Sequence, residues 1–515
     1  MRFFNTAGPC RPDIHYMLPA TRRLPTVTTL IDGQAYFVIY GPRQSGKTTA
    51  MLALAAELTA AGQYAAALVS VEVGAPFKDD PGTAELAILN AWRTWVSWQL
   101  PPALQPPAWP AAPIGKRIGA ALADWAQATP RPLVLFLDEI DSLQDVALNS
   151  VLRQLRDGYP GRPGAFPWSL AIVGMRDVRD YKVASGGSER LHTASPFNIK
   201  TESLLLRTFT AAEVAELYRQ HTDDTGQIFT PAALQRAFDL TQGQPWLVNA
   251  LARQAVEVVA PDARQPVDAA EIEQAKVLLI QRQDTHLDSL AERLRESRVR
   301  HVLAPLLAGE FLGNVSPDDV QYVVDLGLIR RDPFAGLVVA NPIYREVIPR
   351  VLASVTQDSM PAIRPTWLKP DGSLDAEALL GAFLAFWRQH GQPLLGSAPY
   401  HEISPHLVLM AFLSRVANAG GTLEREYAIG SGRMDLCLRY GSLTLGIELK
   451  VWRDGEADPR EEGLAQLDSY LAGLGLETGW LVIFDRRRDQ PPISQRTFAS
   501  AGATPAGRGV TVIRA

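Results

Sequence analysis

Four short stretches in the first 200 residues are runs of apolar, often β-branched residues: YFVIY (36–40), ALVSVEV (67–73), LVLFLDE (133–139) and SLAIVG (169–174). Their apolar character is continuous rather than alternating, which predicts strands buried on both faces of a parallel sheet. Between them the apolar positions recur with a helical period, as in TTAMLALAAELTAAG, which ends on Gly62 as a C-cap. This alternation predicts an α/β domain with helices on both faces. One interruption, PPALQPPAWPAAP (101–113), holds six prolines and reads as an irregular excursion.

Beyond residue 205 the strand signals stop. Amphipathic helices follow one another to about 285, with TAAEVAELYRQH the clearest. Residues 286–352 read as helix, loop, helix and strand pair. Ser316 precedes Pro317 as an N-cap, and a turn at 332–336 makes the pattern a winged helix. A polar, Pro- and Gly-containing segment, 353–374, predicts a linker. From 375 to 515 the order is two helices (about 376–390 and 405–419), the strands TLEREYAI, RMDLCLRY and LTLGIELK, a helix near 461–472, and the strands WLVIFD and VTVIR. The expected division is therefore a core at 1–205, a helical lid at 206–285, a winged helix at 286–352, a linker, and an α/β module at 375–515.

A chain of 515 residues, 47% hydrophobic and 20% charged, is ordinary globular material for two to four domains. The formal charge of −5 supplies no general basic field, so any nucleic-acid contact must come from a local patch. Only Cys10 and Cys437 are present, too few for a disulfide framework and suited to a reducing compartment. The first residues lack a basic-then-apolar leader, and no apolar run reaches membrane-spanning length. The expectation is a soluble cytoplasmic protein with no membrane partner.

GPRQSGKT (41–48) follows a strand and opens a helix, and it matches G-x-x-x-x-G-K-[ST]. Such a loop curls its N–H groups around phosphate oxygens, with Lys47 reaching the β- and γ-phosphates and the Thr48 hydroxyl ligating Mg²⁺. Gly41, Gly46 and Thr49 complete the expected nucleotide-binding set. Asp138 and Glu139 end a later apolar strand: Asp138 is expected to hold Mg²⁺ and Glu139 to polarise the attacking water. The predicted ligands are ATP and Mg²⁺. Arg176 or Arg179, in AIVGMRDVRDYK, is either a γ-phosphate sensor or finger, or an arginine on a solvated loop. GQPW (243–246) is a turn on which a lid can pivot. These segments, with DLGLIRRD and NPIYREVI, resemble the prokaryotic AAA+-like ATPases related to origin-binding and signal-transduction ATPases, over roughly residues 15–350. The resemblance implies an ATPase core, a helical lid and a winged helix whose packing follows nucleotide state. Gly174 and Met175 replace the small polar residue usual at the sensor position.

GIELKVW (446–452) carries different chemistry. Leu443, Leu445, Ile447 and Leu449 share one face of the strand, and Glu448 and Lys450 the other. If RMDLCLRY pairs with it around Gly441, Asp435 joins that polar face. Lysine is scarce, with 8 in the chain against 42 arginines, and only Lys182 and Lys450 follow an acid by two positions. Gln466 and Tyr470 then share one face of the following helix. Two carboxylates and a lysine on rigid strands suit metal-assisted phosphodiester hydrolysis; the rival reading is a surface ion pair. Asp435, Glu448-Leu449-Lys450 and QLDSY resemble the PD-(D/E)XK nuclease superfamily over roughly 375–515. That resemblance implies catalytic roles for Asp435, Glu448, Lys450 and Gln466, and Mg²⁺ or Mn²⁺ at Asp435 and Glu448. The Leu449 carbonyl, and Glu402 less directly, are further candidate ligands.

The expected function is an ATP-binding and hydrolysing protein that regulates a DNA endonuclease, with DNA, a homo-oligomer and an unidentified trigger as partners. Its rivals are a signalling ATPase with a triggered effector, in defence against mobile DNA, and a DNA-binding switch with an inactive nuclease-like domain. The winged-helix region holds 8 arginines against 9 acids, so Arg293, Arg295, Arg298, Arg300, Arg330 and Arg331 are either phosphate contacts or solvated charges. Arg486, Arg487 and Arg488 are better placed. Trp92, Trp95 and Trp98 read as core or interface rather than base-stacking residues.

Overall fold

The computed structural model describes residues 2–176, 197, 199–282, 290, 292–308, 312, 315–360, 365–397, 404–418, 420–429 and 432–515. The chain forms two compact units, Met1–Asp284 with Gln321–Asn341, and Thr285–Val320 with Pro342–Ala515.

The first unit is built on five parallel strands: β1 (Tyr36–Tyr40), β2 (Ala65–Ser70), β3 (Leu133–Asp138), β4 (Ser169–Gly174) and β5 (Ser203–Leu205). Their order is β2-β3-β4-β1-β5. The unbroken apolar runs have the expected physical consequence. Tyr36 and Val38 of β1 enter the core on one face, whereas Phe37 and Ile39 enter the core on the other. Burying Phe37, Val38 or Ile39 is worth roughly 1.5–3 kcal/mol each. Helices α1 (Val27–Asp32) and α2 (Lys47–Ala60) cover one face; α3 (Pro81–Gln99), α4 (Arg117–Ala128) and α5 (Asp145–Gly158) cover the other.

One local reading changes, and three places are filled in. ALVSVEV stops being a strand at Ser70, because the Ser70 hydroxyl accepts from the Glu72 N–H at 3.1 Å and starts a 3₁₀ turn, Glu72–Phe77, that contains Pro76. The three-residue β5 is too short to announce itself in the sequence. Of the tryptophans, Trp92 is core and donates to the Ser70 carbonyl at 3.0 Å, while Trp98 is 60% exposed. The proline-rich excursion carries one 3₁₀ turn, Pro102–Leu104, whose Leu104 carbonyl accepts from Trp125.

Four helices follow in the same unit: α6 (Ala211–Thr225), α7 (Pro231–Thr241), α8 (Pro245–Gln254) and α9 (Ala269–Arg282). Thr210 and Glu213 form a reciprocal capping box at the start of α6. The GQPW turn is sterically fixed: a side chain on Gly243 would place its Cβ 1.8 Å from the Phe209 carbonyl oxygen. Helices α10 (Ser297–Ala308) and α11 (Pro317–Asp325) come next, and Ser316 caps α11 through Asp318 N–H. The antiparallel pair β6 (Ile329–Asp332) and β7 (Gly336–Val339) belongs to the first unit.

In the second unit, α12 (Pro342–Ser359), α13 (Ala376–Ser397) and α14 (Ser404–Ala417) precede a six-stranded sheet. Its strands are β8 (Gly421–Ile429), β9 (Gly432–Tyr440), β10 (Leu443–Trp452), β11 (Thr478–Asp485), β12 (Phe498–Ala503) and β13 (Gly509–Arg514), ordered β12-β13-β11-β10-β9-β8. β8, β9 and β10 form an antiparallel meander; β10, β11 and β13 run parallel. Helix α15 (Arg460–Leu474) packs Leu467 and Leu471 on one face against Leu481, Ile483 and Val512. On the opposite face Trp387 of α13 lies 5.0 Å from Phe484. β12, FASAGA, has little intrinsic strand preference and is an edge strand held by β13, so its sequence did not predict it. A short helix α16 (Ile493–Arg496) precedes it. No described helix is long and apolar enough to cross a membrane.

Candidate functional site

The phosphate loop lies between β1 and α2, where Gly46 takes a left-handed conformation at φ 84°. Lys47 is buried, and its ammonium donates to the Gly41 and Pro42 carbonyls at 2.9 Å each. Burial pushes its pKa down, opposed by the carboxylates of Asp141, Glu139 and Asp138. The Thr48 hydroxyl donates to Asp138 Oδ2 at 2.7 Å, which joins the start of α2 to the end of β3. The other Asp138 oxygen accepts from Glu139 N–H at 3.0 Å. Glu139 stands just past the strand with φ 58°, a conformation rare for a residue with a side chain. Burial first, then the charges of Asp141 and Asp138, raise its pKa to about 7. A carboxylate so tuned is suited to accept a proton near neutral pH.

The two candidate sensor arginines part company. Arg176 stacks 3.8 Å over the Tyr322 ring of α11, and Arg179 lies outside the described residues. At the departing sensor position, Met175 N–H donates to Asp141 Oδ1 at 3.0 Å.

Several residues of this site escaped sequence reasoning. A cavity beside the loop is walled by Cys10, Leu18, Thr49, Phe209, Pro245 and Asn249. Thr49, expected to face nucleotide, accepts from the Cys10 N–H at 3.0 Å. The Asn249 amide donates to the Pro245 carbonyl at 2.8 Å, while its buried Oδ1 has no partner. Arg23 is buried and bridges Ser45 O and Arg207 O, each at 2.8 Å. Thr49 and the GQPW turn were the sequence signals for this cavity. Nothing local marked Cys10, Leu18 or Arg23.

In the second unit, β9 and β10 pair Ile447 with Leu436, so Asp435 and Glu448 fall together at the next step. Asp435 Oδ2 accepts from the Leu449 N–H at 2.8 Å. Glu448 is buried, and its Oε2 has no hydrogen-bond partner. Burial, then the neighbouring Asp435 charge, hold its carboxyl well above the usual range. Lys450 Nζ lies 2.5 Å from Gln466 Oε1, 3.1 Å from Glu462 and 3.5 Å from Glu448. Gln466 in turn donates to Glu462 at 3.2 Å. Tyr470, one turn along α15, has its pKa raised to about 12 by burial and by the charges of Glu448 and Asp435. Asp435, Glu448, Lys450 and Gln466 thus converge from β9, β10 and α15. Glu462 joins them unforeseen. Glu402 lies outside the described residues, among which no group of three or more His, Cys, Asp or Glu suits a metal ion.

The strand order, the loop between β1 and α2, and the Thr48–Asp138 link define a P-loop NTPase fold joined to a second α/β unit. No family model and no curated protein matches the chain. Among solved structures it is similar to a Walker-type ATPase of Pyrococcus abyssi, at 11% identity and a TM-score of 0.46, over 67% of this chain and 99% of that one. It is also similar to Cdc6p from Pyrobaculum aerophilum, at 12% identity and a TM-score of 0.39, over 68% and 96%. The Thermotoga maritima RuvB Holliday junction branch migration motor aligns at 16% identity and a TM-score of 0.35, over 62% and 90%. At these values the likenesses say nothing of activity.

Proposed function

We propose that this chain binds and hydrolyses ATP and uses that cycle to regulate a metal-dependent DNA endonuclease carried by its second unit. The observation that carries the nuclease half is the convergence of Asp435, Glu448, Lys450 and Gln466 on one face of the sheet. A buried carboxylate, Glu448, with one oxygen unpartnered beside the half-buried Asp435 is an arrangement that a cation would complete. Asp435 and Glu448 would hold Mg²⁺ or Mn²⁺, with the Leu449 carbonyl a third ligand; a magnesium ion keeps several waters, so few protein ligands suffice. The ion supplies Lewis-acid polarisation of the phosphodiester and an acidified water. Lys450 contributes a fixed positive charge beside the developing phosphorane, and Gln466 holds its ammonium in place.

In the first unit, Lys47 neutralises phosphate charge, Thr48 and Asp138 would hold Mg²⁺, and Glu139 orients and deprotonates the attacking water. The base would enter the cavity between Leu18 and Pro245, which favours a nucleotide ligand over a bare phosphate.

The test is cleavage of plasmid DNA with Mg²⁺ or Mn²⁺, with and without ATP, by wild type, Lys47→Ala and Lys450→Ala. Cleavage lost in the Lys450 variant and altered in the Lys47 variant supports the reading. Cleavage retained by Lys450→Ala overturns it.

A second reading, an ATP-driven signalling switch that assembles into homo-oligomers on an unidentified trigger, is favoured by one contact. Gly327, at φ 74°, leads into the β6–β7 pair and abuts Pro42 of the phosphate loop. A Cβ there would lie 2.7 Å from the proline ring. A loop that rearranges around phosphate would press on that contact. Size-exclusion chromatography of Gly327→Ala with ADP and with ATP discriminates: assembly without ATP favours the switch.

A further inference from the structure

The parallel strands β10, β11 and β13 end together, and ligands of open parallel sheets gather outside the carboxyl ends of the strands. There the second unit has a groove of about 520 Å³ whose walls include Arg388, Arg487, Asp489, Ser494 and Arg496. Arg388, from α13, spends Nε and Nη2 on a single acceptor, the Thr497 carbonyl, at 3.1 and 2.7 Å. Arg496 lies 4.0 Å from Asp485, and its buried Nε has no partner. Arg487 forks onto Asp485 at 2.9 and 2.8 Å and stacks 3.4 Å over the Trp452 ring. Asp485 serves two of these arginines and is only 12% exposed, so Asp489 is the one carboxylate set among the three guanidiniums on the groove wall. Trp452 stands two residues beyond Lys450 on β10, about 7 Å along the strand. That span is close to two nucleotides at about 3.4 Å of rise each.

We propose that this groove is a phosphate-backbone subsite, which holds a DNA strand a nucleotide or two from the phosphodiester addressed by Asp435, Glu448 and Lys450. Its placement beside a scissile bond rests on the nuclease reading; backbone binding does not. Guanidinium forks partly engaged by protein acceptors, with donors left over, suit phosphate oxygens. No base edge is read, so the contact carries affinity and register rather than sequence.

Binding of a fluorescein-labelled duplex to the full chain, followed by anisotropy in Ca²⁺ across roughly 50–200 mM salt, measures it. Ser494 is exposed on the groove wall, so Ser494→Glu adds a carboxylate without touching the core. This variant is expected to weaken binding about tenfold, and Arg388→Gln/Arg496→Gln to flatten the log–log salt slope by about two. Arg388→Lys/Arg496→Lys should restore most of the slope, because it keeps the charge. Wild-type affinity and slope in Ser494→Glu would overturn the proposal. Release of the duplex by low millimolar inorganic phosphate would assign the groove to a free anion and overturn it equally. Plasmid cleavage by the wild type, set beside these binding data, separates the two readings. Binding that depends on Ser494 and the arginines, with no cleavage by wild type, removes the nuclease and keeps the groove; cleavage with an unchanged slope does the reverse.

Discussion

Lys47 and Lys450 each sit near carboxylates, yet they are held in opposite ways. Lys47 is fixed by two carbonyls of its own loop, and the adjacent Thr48 is tied to Asp138. Lys450 is fixed by side chains alone, from its own strand and from a helix that begins ten residues later. The first arrangement is mostly backbone, so eight contiguous residues encode it. The second exists only after a meander and a crossover have formed, so its residues are scattered and each is weak evidence by itself. In the absence of nucleotide the two sites are therefore expected to fail independently.

Glu139→Gln gives the largest effect. Removing the base should lower ATP turnover by about 10²–10⁴-fold while ATP affinity, followed by titration of a fluorescent analogue, stays within about twofold. DNA cleavage without nucleotide should not change. If it falls as well, the sites are one machine and the contrast between them collapses. Lys450→Ala comes next, with cleavage reduced by about 10²–10³-fold and ATP turnover intact. Gln466→Ala is milder: Lys450 keeps Glu462 but loses its amide acceptor, a charged hydrogen bond worth about 1.5 kcal/mol, so cleavage should drop about tenfold. Its melting temperature should stay near that of wild type, which separates positioning from folding.

The sheet of the first unit was legible because parallel strands buried on both faces leave unbroken apolar runs, as Tyr36–Ile39 do. The short β5 and the Ala- and Gly-rich β12 were not, because their pairing comes from neighbours already in place. The phosphate loop was readable residue by residue, but its cavity was not: Cys10, Leu18, Pro245 and Asn249 come from segments more than 200 residues apart. In the second unit, strand alternation sufficed to bring Asp435 beside Glu448 on paper. Glu462 was missed because a helix carboxylate one turn before Gln466 has no sequence mark until α15 is docked. The arginines illustrate the same limit. Arg298 pairs with Asp319 at 3.0 Å and Arg330 with Asp332 at 2.7 Å, partners that a count of charges could not assign.

The finest test of the contrast concerns how the phosphate site is tied to its surroundings. Arg23 joins the phosphate loop at Ser45 to Arg207, and Arg207 forks onto Glu213 of α6 at 2.6 and 2.8 Å. Hydrogen bonds from Arg207, joined by the capping box, hold the Glu213 carboxyl down at about 2, against an ordinary 4.5. A depressed carboxylate stabilises the fold fully above pH 4.5, and that contribution is lost as pH falls toward 2. Glu213→Gln should therefore cost about 1–2 kcal/mol at neutral pH, discounted because Arg207 is half in solvent. The difference from wild type should shrink as denaturation is repeated below pH 4.5. ATP affinity should weaken by a few-fold with it, and cleavage kinetics in nucleotide-free buffer should not move. A constant difference across that pH range would show that the cap, rather than the ion pair, carries the linkage.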